Sequence, residues 1–157
     1  MLTTPFGILL HLIVDLLHTI LYNTSINLVK GVFYMSIIST ALIMIVALEA
    51  LYIMGMEMFG SEEKLHQAFG LRKEYLKMPE ARVAMANQGL YNGFISVGLL
   101  FARFVFPENA QYMGSMMFVI FVIVAAIYGW SSAKNPKILL AQGTPAILAL
   151  LALLIFK

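Results

Sequence analysis

The sequence has no cysteine among its 157 residues, which excludes disulfides, thiolate metal centres and cysteine nucleophiles. Charge is scarce too. Asp, Glu, Lys and Arg make up 11% of the chain, against roughly 25% in ordinary soluble domains. The net charge of +2 is too small to draw a nucleic acid, and none is expected as a partner. No Lys or Arg precedes Lys30, so the positively charged start of a secretory signal peptide is missing. No glycine-rich nucleotide loop, HExxH, GxSxG or CxxCH motif occurs, so no catalytic signature or cofactor can be assigned.

Hydrocarbon fills the chain instead. Hydrophobic residues amount to 61%, more than a soluble protein of this size can hide. The composition predicts an integral membrane protein with membrane lipid as its partner. About 20 apolar residues cross a bilayer core of about 30 Å. Four segments satisfy this, at about residues 33–59, 82–106, 113–132 and 137–156. The expected fold is all-α: a polytopic bundle of four transmembrane helices, residues 31–157, preceded by an N-terminal apolar helix within residues 1–30.

The connection at residues 60–81 is the one long polar stretch. Ser61 ahead of Glu62 and Glu63 reads as a helix N-cap, Gly70 as a stop, and Pro79 suits the first turn of the next span. A short amphipathic helix at the membrane surface, or a solvated loop with one helical turn, is expected there. Lys64, Arg72, Lys73, Lys77, Arg82, Lys134 and Lys137 fall on one side of the membrane, against Lys30, Arg103 and Lys157 on the other. This asymmetry assigns the connections at 60–81 and 133–137 to the cytoplasm of a cell-membrane protein and the C-terminus to the outside. In the N-terminal segment, His11, Asp15 and His18 share one helical face. That segment is expected to lie in the interface or to form a fifth span. With no further ligand beside them, these three residues give no metal site.

The polar residues inside the spans are the informative ones, because ionisable groups in lipid cost about 2.5–3.5 kcal/mol at a helix centre on insertion scales and usually mark function. At about 1.5 Å per residue, Glu49 lies roughly 4–5 Å to the cytoplasmic side of its span's midpoint. Tyr91 and Asn92 lie roughly 5 Å to that side of theirs, Asn87 and Gln88 roughly 10–12 Å, and Tyr128 and Gln142 roughly 8–9 Å. Every span thus places polar groups in the same half of the bilayer, while the outer halves are nearly pure Leu, Ile, Val, Phe and Met. The pattern predicts a polar pocket open toward the cytoplasm and plugged outside. Glu57, about 12 Å and roughly 80° from Glu49 on one helix, belongs to the mouth of that pocket and cannot form a catalytic dyad with Glu49. It could snorkel or pair with a loop lysine. Tyr91, Asn92 or Gln142 are the expected partners of Glu49. Asn, Gln and Tyr also serve as plain interhelical glue.

Gly89, Gly93 and Ser96 form a small face, and Ala125 and Gly129 repeat the spacing. Both are expected to pack helices closely. Pro145 deprives the Ala141 carbonyl of its helical donor, predicting either a kink or a carbonyl offered to the pocket.

Four stretches, ALEALYIMGMEMFG at 47–60, ANQGLYNGF at 86–94, AAIYG at 125–129 and AQGTPAILAL at 141–150, resemble the small membrane proteins called domain of unknown function thirteen-oh-four. The likeness runs from about residue 35 to the end, and that family's usual pattern has a histidine about where Glu49 stands. It implies a four-span bundle and marks Glu57, Asn87, Gln88, Tyr91, Asn92 and Gln142 as motif positions. It implies no activity.

Three readings of function fit these residues. The first is a transporter-like homodimer in which Glu49 binds a proton or cation in exchange for a small polar or amphipathic substrate. The second is a membrane-embedded enzyme acting on a lipid or isoprenoid-like molecule, with Glu57 or Glu49 as acid/base and Tyr91 and Asn92 polarising the substrate. The third is a structural or sensing subunit.

Overall fold

A computed structural model describes residues 36–156, together with Asp15 and His18. Asp15 and His18 are helical and exposed, and His11 lies outside the described residues. The chain divides into two units, residues 1–33 and 34–157. The second unit contains the long helices and every candidate site residue.

All regular structure among the described residues is helical. Helix α1 spans Ile37–Phe59, with Ser36 as its N-cap accepting from the Ser39 N–H at 3.1 Å. Helix α2, Glu62–Phe69, starts at Ser61, with Glu62 and Glu63 in the first turn, and ends at Gly70 in the left-handed region (φ 71°), a conformation glycine adopts at no steric cost. A single turn, α3, covers Lys73–Leu76. Helix α4 is Pro79–Phe104, with Pro79 in its first turn where its missing N–H costs nothing. Helix α5 is Glu108–Ala133 and follows Pro107. Helix α6, Pro136–Ile155, starts at Asn135, whose side chain accepts from the Lys137 N–H at 3.1 Å. The cap, stop and proline positions expected from sequence are therefore the ones used.

Helix α6 is not uniform. Leu139–Gly143 form a π turn, in which the Thr144 N–H donates to the Leu139 carbonyl five residues back. Pro145 follows directly and sits in the first turn of the α-helical remainder, Thr144–Ile155. A proline that cannot donate to the preceding turn is accommodated by widening that turn. Gln142 lies inside it.

Among the described residues, three helices, α1, α5 and α6, are both long and apolar enough to cross a membrane. The expected count of four spans is not reached by that criterion. Helix α4 has the length, at 26 residues, but Asn87, Gln88, Tyr91 and Asn92 in its first half lower its apolarity.

The long helices contact each other in the cyclic order α1, α4, α5, α6, with α1 against α4 the most extensive pair. Consecutive members are antiparallel neighbours, joined by short connections except between α1 and α4, where α2 and α3 intervene. The α1–α4 and α5–α6 connections therefore share one end of the bundle, where an added Cβ on Gly70 would lie 3.6 Å from the Asn135 amide nitrogen. The expected amphipathic helix is α2, and its apolar face is not free: Leu65 and Leu76 are fully buried in a cluster with Met85 of α4, flanked by Phe69 and Leu71. On its outer side, Glu63 pairs with Lys73 and accepts from Gln67 at 2.9 Å. The hydrogen bond from Lys73 holds the Glu63 carboxyl below the usual carboxylate range. Its stabilisation is therefore present above that range and lost as pH falls through it. The pair is exposed and salt-screened, so Glu63→Gln is expected to leave the thermal midpoint at about 0.15 M salt essentially unchanged.

The small face of α4 works as expected. A Cβ on Gly89 would stand 3.0 Å from the Met54 carbonyl oxygen and 3.1 Å from the Glu57 Cβ, while the buried Ser96 hydroxyl donates to the Ala47 carbonyl at 2.8 Å. Because the obstacle at Gly89 includes backbone, Gly89→Leu is expected to force α1 and α4 apart. A cost of about 1–3 kcal/mol is the usual result of such overpacking, measurable by thermal unfolding in detergent.

Candidate functional site

Depth along the helices puts eight polar residues in one pocket. The structure brings three of them to a common cavity, connects a fourth to it, and turns the other four outward. A partly enclosed cavity of about 60 Å³ lies inside the bundle, lined by Glu49, Asn92 and Gln142, with Ile53 of α1 and Phe121 and Ala125 of α5 among its apolar walls. All four long helices contribute. Small residues on α1 and α5, Ala50 and Ala125, leave the space, and the π turn carries Gln142 to it. Single π turns of this kind recur where a helix must re-aim a side chain at a site.

Glu57 does not line this cavity. It is 6% exposed, and its carboxylate accepts from the Asn92 Nδ2 at 2.7 Å, the length of a charge-assisted bond. The expectation that Glu57 snorkels or pairs with a loop lysine is thus corrected. It faces α4, where the small side of Gly89 and Gly93 lets the two helices approach closely enough for Asn92 to reach it. Asn92 consequently belongs to both carboxylates: its amide nitrogen holds Glu57, and its side chain walls the cavity beside Glu49. Among the described residues, no hydrogen bond or ion pair reaches Glu49 itself, so the partners expected for it are neighbours across the cavity rather than bonded groups.

Asn87, Gln88, Tyr91 and Tyr128 are exposed on the bundle surface. Tyr91 stacks edge-on against Phe94, with ring centroids 6.1 Å apart, and the Tyr128 backbone carbonyl accepts from Ser132 at 2.8 Å. Their shared depth with Glu49 does not bring them to it.

Two polar features lie outside the expectations from sequence. At the bundle end opposite α2, the Arg103 guanidinium donates to Thr40 of α1 and to Gln111 of α5, each at 2.8 Å. Gln111 in turn donates to the Phe106 carbonyl at 3.1 Å, and the buried Ser39 hydroxyl donates to the Ala152 carbonyl at 3.1 Å. That end is therefore tied by polar groups rather than plugged by hydrocarbon alone. At the other end, Arg82 donates to the Gly60 carbonyl at 2.9 Å and fixes the turn that leaves α1. The sequence signal for the first tie is Arg103, Thr40 and Gln111 lying at matching helix ends, which a count of loop charges passes over.

The apolar walls and the single unpaired carboxylate suit a small hard cation or a proton held by oxygen atoms. Among the described residues, no group of three His, Cys, Asp or Glu side chains converges as a metal centre would require.

No solved structure matches the chain. It is 40% identical over 119 residues to the uncharacterized protein YpaA of Lactococcus lactis subsp. lactis (strain IL1403), an alignment covering 75% of this chain and 98% of that protein. Residues 44–154, which include Glu49, Glu57, Asn92 and Gln142, match the family described as protein of unknown function (DUF1304). The chain belongs to that family.

Proposed function

We propose that the chain is a multi-pass cell-membrane protein that couples movement of a proton or cation through Glu49 to exchange of a small polar or amphipathic substrate. In this reading, residues 31–157 form the transport domain, residues 1–30 are a peripheral addition, and two copies pair to build the pathway. The observation that carries it is the Asn92 side chain, shared between the carboxylate in the cavity and the buried carboxylate of Glu57. Two acidic groups joined through one amide along the bundle give a charge successive resting places in an apolar interior. The basic residues of the two connections at the α2 end, against Arg103 at the other, support a cytoplasmic position for that end.

The cavity, at about 60 Å³, fits an ion and not a lipid substrate, whose pockets run to about 300–1,000 Å³. Glu57, one of the two acid/base candidates of the enzyme reading, is walled in by helix packing and lines neither the cavity beside Glu49 nor the open grooves at the α2 end. The geometry thus favours transport over lipid chemistry.

The test is flux. Purified protein in proteoliposomes with an internal pH dye is expected to pass protons or cations under an imposed potential, and Glu49→Gln is expected to reduce that flux to the level of protein-free vesicles. Undiminished flux through Glu49→Gln would remove this carboxylate from the pathway.

A further inference from the structure

The cavity beside Glu49 holds more hydrogen-bonding capacity than its protein neighbours use. The Glu49 carboxylate and the Gln142 amide have no hydrogen-bond partner among the described residues, and both line the same space. Asn92 gives its Nδ2 to Glu57, and an amide that donates from nitrogen on one side presents its oxygen on the other. Since the partner of Nδ2 is an acceptor-only carboxylate when ionised, the orientation is fixed and Oδ1 remains an acceptor. The available oxygens are therefore two from Glu49, one from Asn92 and one from Gln142. No Lys, Arg or His lines the cavity.

Charge and size narrow the ligand. One carboxylate faces the cavity, because Glu57 is engaged elsewhere. A monovalent cation neutralises that single charge, whereas a divalent cation would leave an excess positive charge in an apolar interior, where an uncompensated charge is costly. A water-sized occupant needs about 10–15 Å³ of such space, so a cavity of about 60 Å³ admits an ion with a few waters. Oxygen ligands from carboxylate and amide groups are those that hard cations take. The widened turn at Leu139–Gly143 carries Gln142 to the cavity, as helix interruptions supply ligands at ion sites in membrane proteins.

We propose that this cavity is a sodium site, the ion being held by the Glu49 carboxylate, the Asn92 Oδ1 and the Gln142 Oε1, with water completing its shell. The proposal specifies the coupling ion of the transport reading and rests on that reading only for the cavity's role. A ligand that binds the folded state alone raises the unfolding midpoint in proportion to the logarithm of its concentration.

The full chain in detergent is melted in sodium chloride and in choline chloride at equal ionic strength. Sodium is expected to raise the midpoint by several degrees in a saturable manner, with magnesium and calcium giving no such rise. Glu49→Gln is expected to abolish the rise and Gln142→Met to weaken it at least several-fold, each retaining its cooperative melt in choline. Should Glu49→Gln fail to fold, Gln142→Met and the ²³Na line broadening of the unaltered protein carry the test. A midpoint indifferent to sodium, with Glu49-dependent proton flux intact, overturns the sodium site and leaves the transport reading standing. A sodium shift undiminished in both variants also overturns it, by placing the ion elsewhere. Loss of both the shift and the flux removes both.

Discussion

Asn92→Leu is expected to destabilise the bundle by about 3 kcal/mol. Asn92 donates to Glu57 at 2.7 Å, and Glu57 is 6% exposed between α1 and α4. Removing the donor leaves a carboxylate whose burial is tolerable only while it is bonded; such orphaned groups cost about 1–3 kcal/mol when neutral and more when charged. For a chain of this length, about 3 kcal/mol corresponds to a fall in midpoint of roughly 6–12 °C. Glu57→Leu combined with Asn92→Leu replaces both partners by apolar groups of similar shape, and should recover most of the loss. The double-mutant cycle in detergent therefore discriminates. If the two substitutions simply add, the 2.7 Å contact contributes nothing and Asn92 acts through packing alone. Recovery of stability should not restore flux, because the double variant removes the second carboxylate and the amide beside Glu49 together.

Much of this is legible in the sequence, for reasons that differ from residue to residue. Ser61, Gly70 and Pro79 bound their helices as expected because capping and left-handed turns depend on a few adjacent residues. Gly89, Gly93 and Ser96 announce the α1 contact because small side chains permit close backbone approach and little else does in lipid. Glu49, Asn92 and Gln142 fall together because their depths along the helices agree to within a turn. Depth, however, says nothing about direction around a helix. That is why it assigns Asn87, Gln88, Tyr91 and Tyr128 to the same pocket although they lie on the surface. The missing coordinate is available for α4. Taking Gly89 as the inward direction and about 100° per residue, Asn92 points roughly 60° from it, Gln88 roughly 100°, and Asn87 and Tyr91 roughly 160°. Only Asn92 can face inward. The π turn is not derivable in the same way. Pro145 shows that the preceding turn must lose a donor, but whether the helix kinks or widens depends on how α6 packs against α5, where a Cβ on Gly129 would lie 3.0 Å from Ile138 Cγ2.

The Arg103 tie gives the second large effect. Arg103→Leu is expected to cost about 1.5–3 kcal/mol, the range for hydrogen bonds to a charged group. It removes the donors to Thr40 and Gln111, each at 2.8 Å. The Thr40 hydroxyl keeps its bond to the Ser36 carbonyl at 3.0 Å, and Gln111 keeps its bond to Phe106. The damage should therefore fall on Gln111 Oε1, which loses its partner, and on the contact between the start of α1 and the end of α4. Arg103 also stands in the last turn of α4, where a cation opposes the negative end of the helix dipole. Lysine preserves that charge but not the planar fork that reaches two helices at once. The order of stability should be wild type, then Arg103→Lys, then Arg103→Leu, with Thr40→Val nearer to wild type than either. Equal loss in the lysine and leucine variants would assign the effect to the fork. Equal stability of all three would show that the tie at this end is geometric company rather than support, and that contacts further along the helices, at Ser96 and the glycine face, suffice to hold α1 against α4.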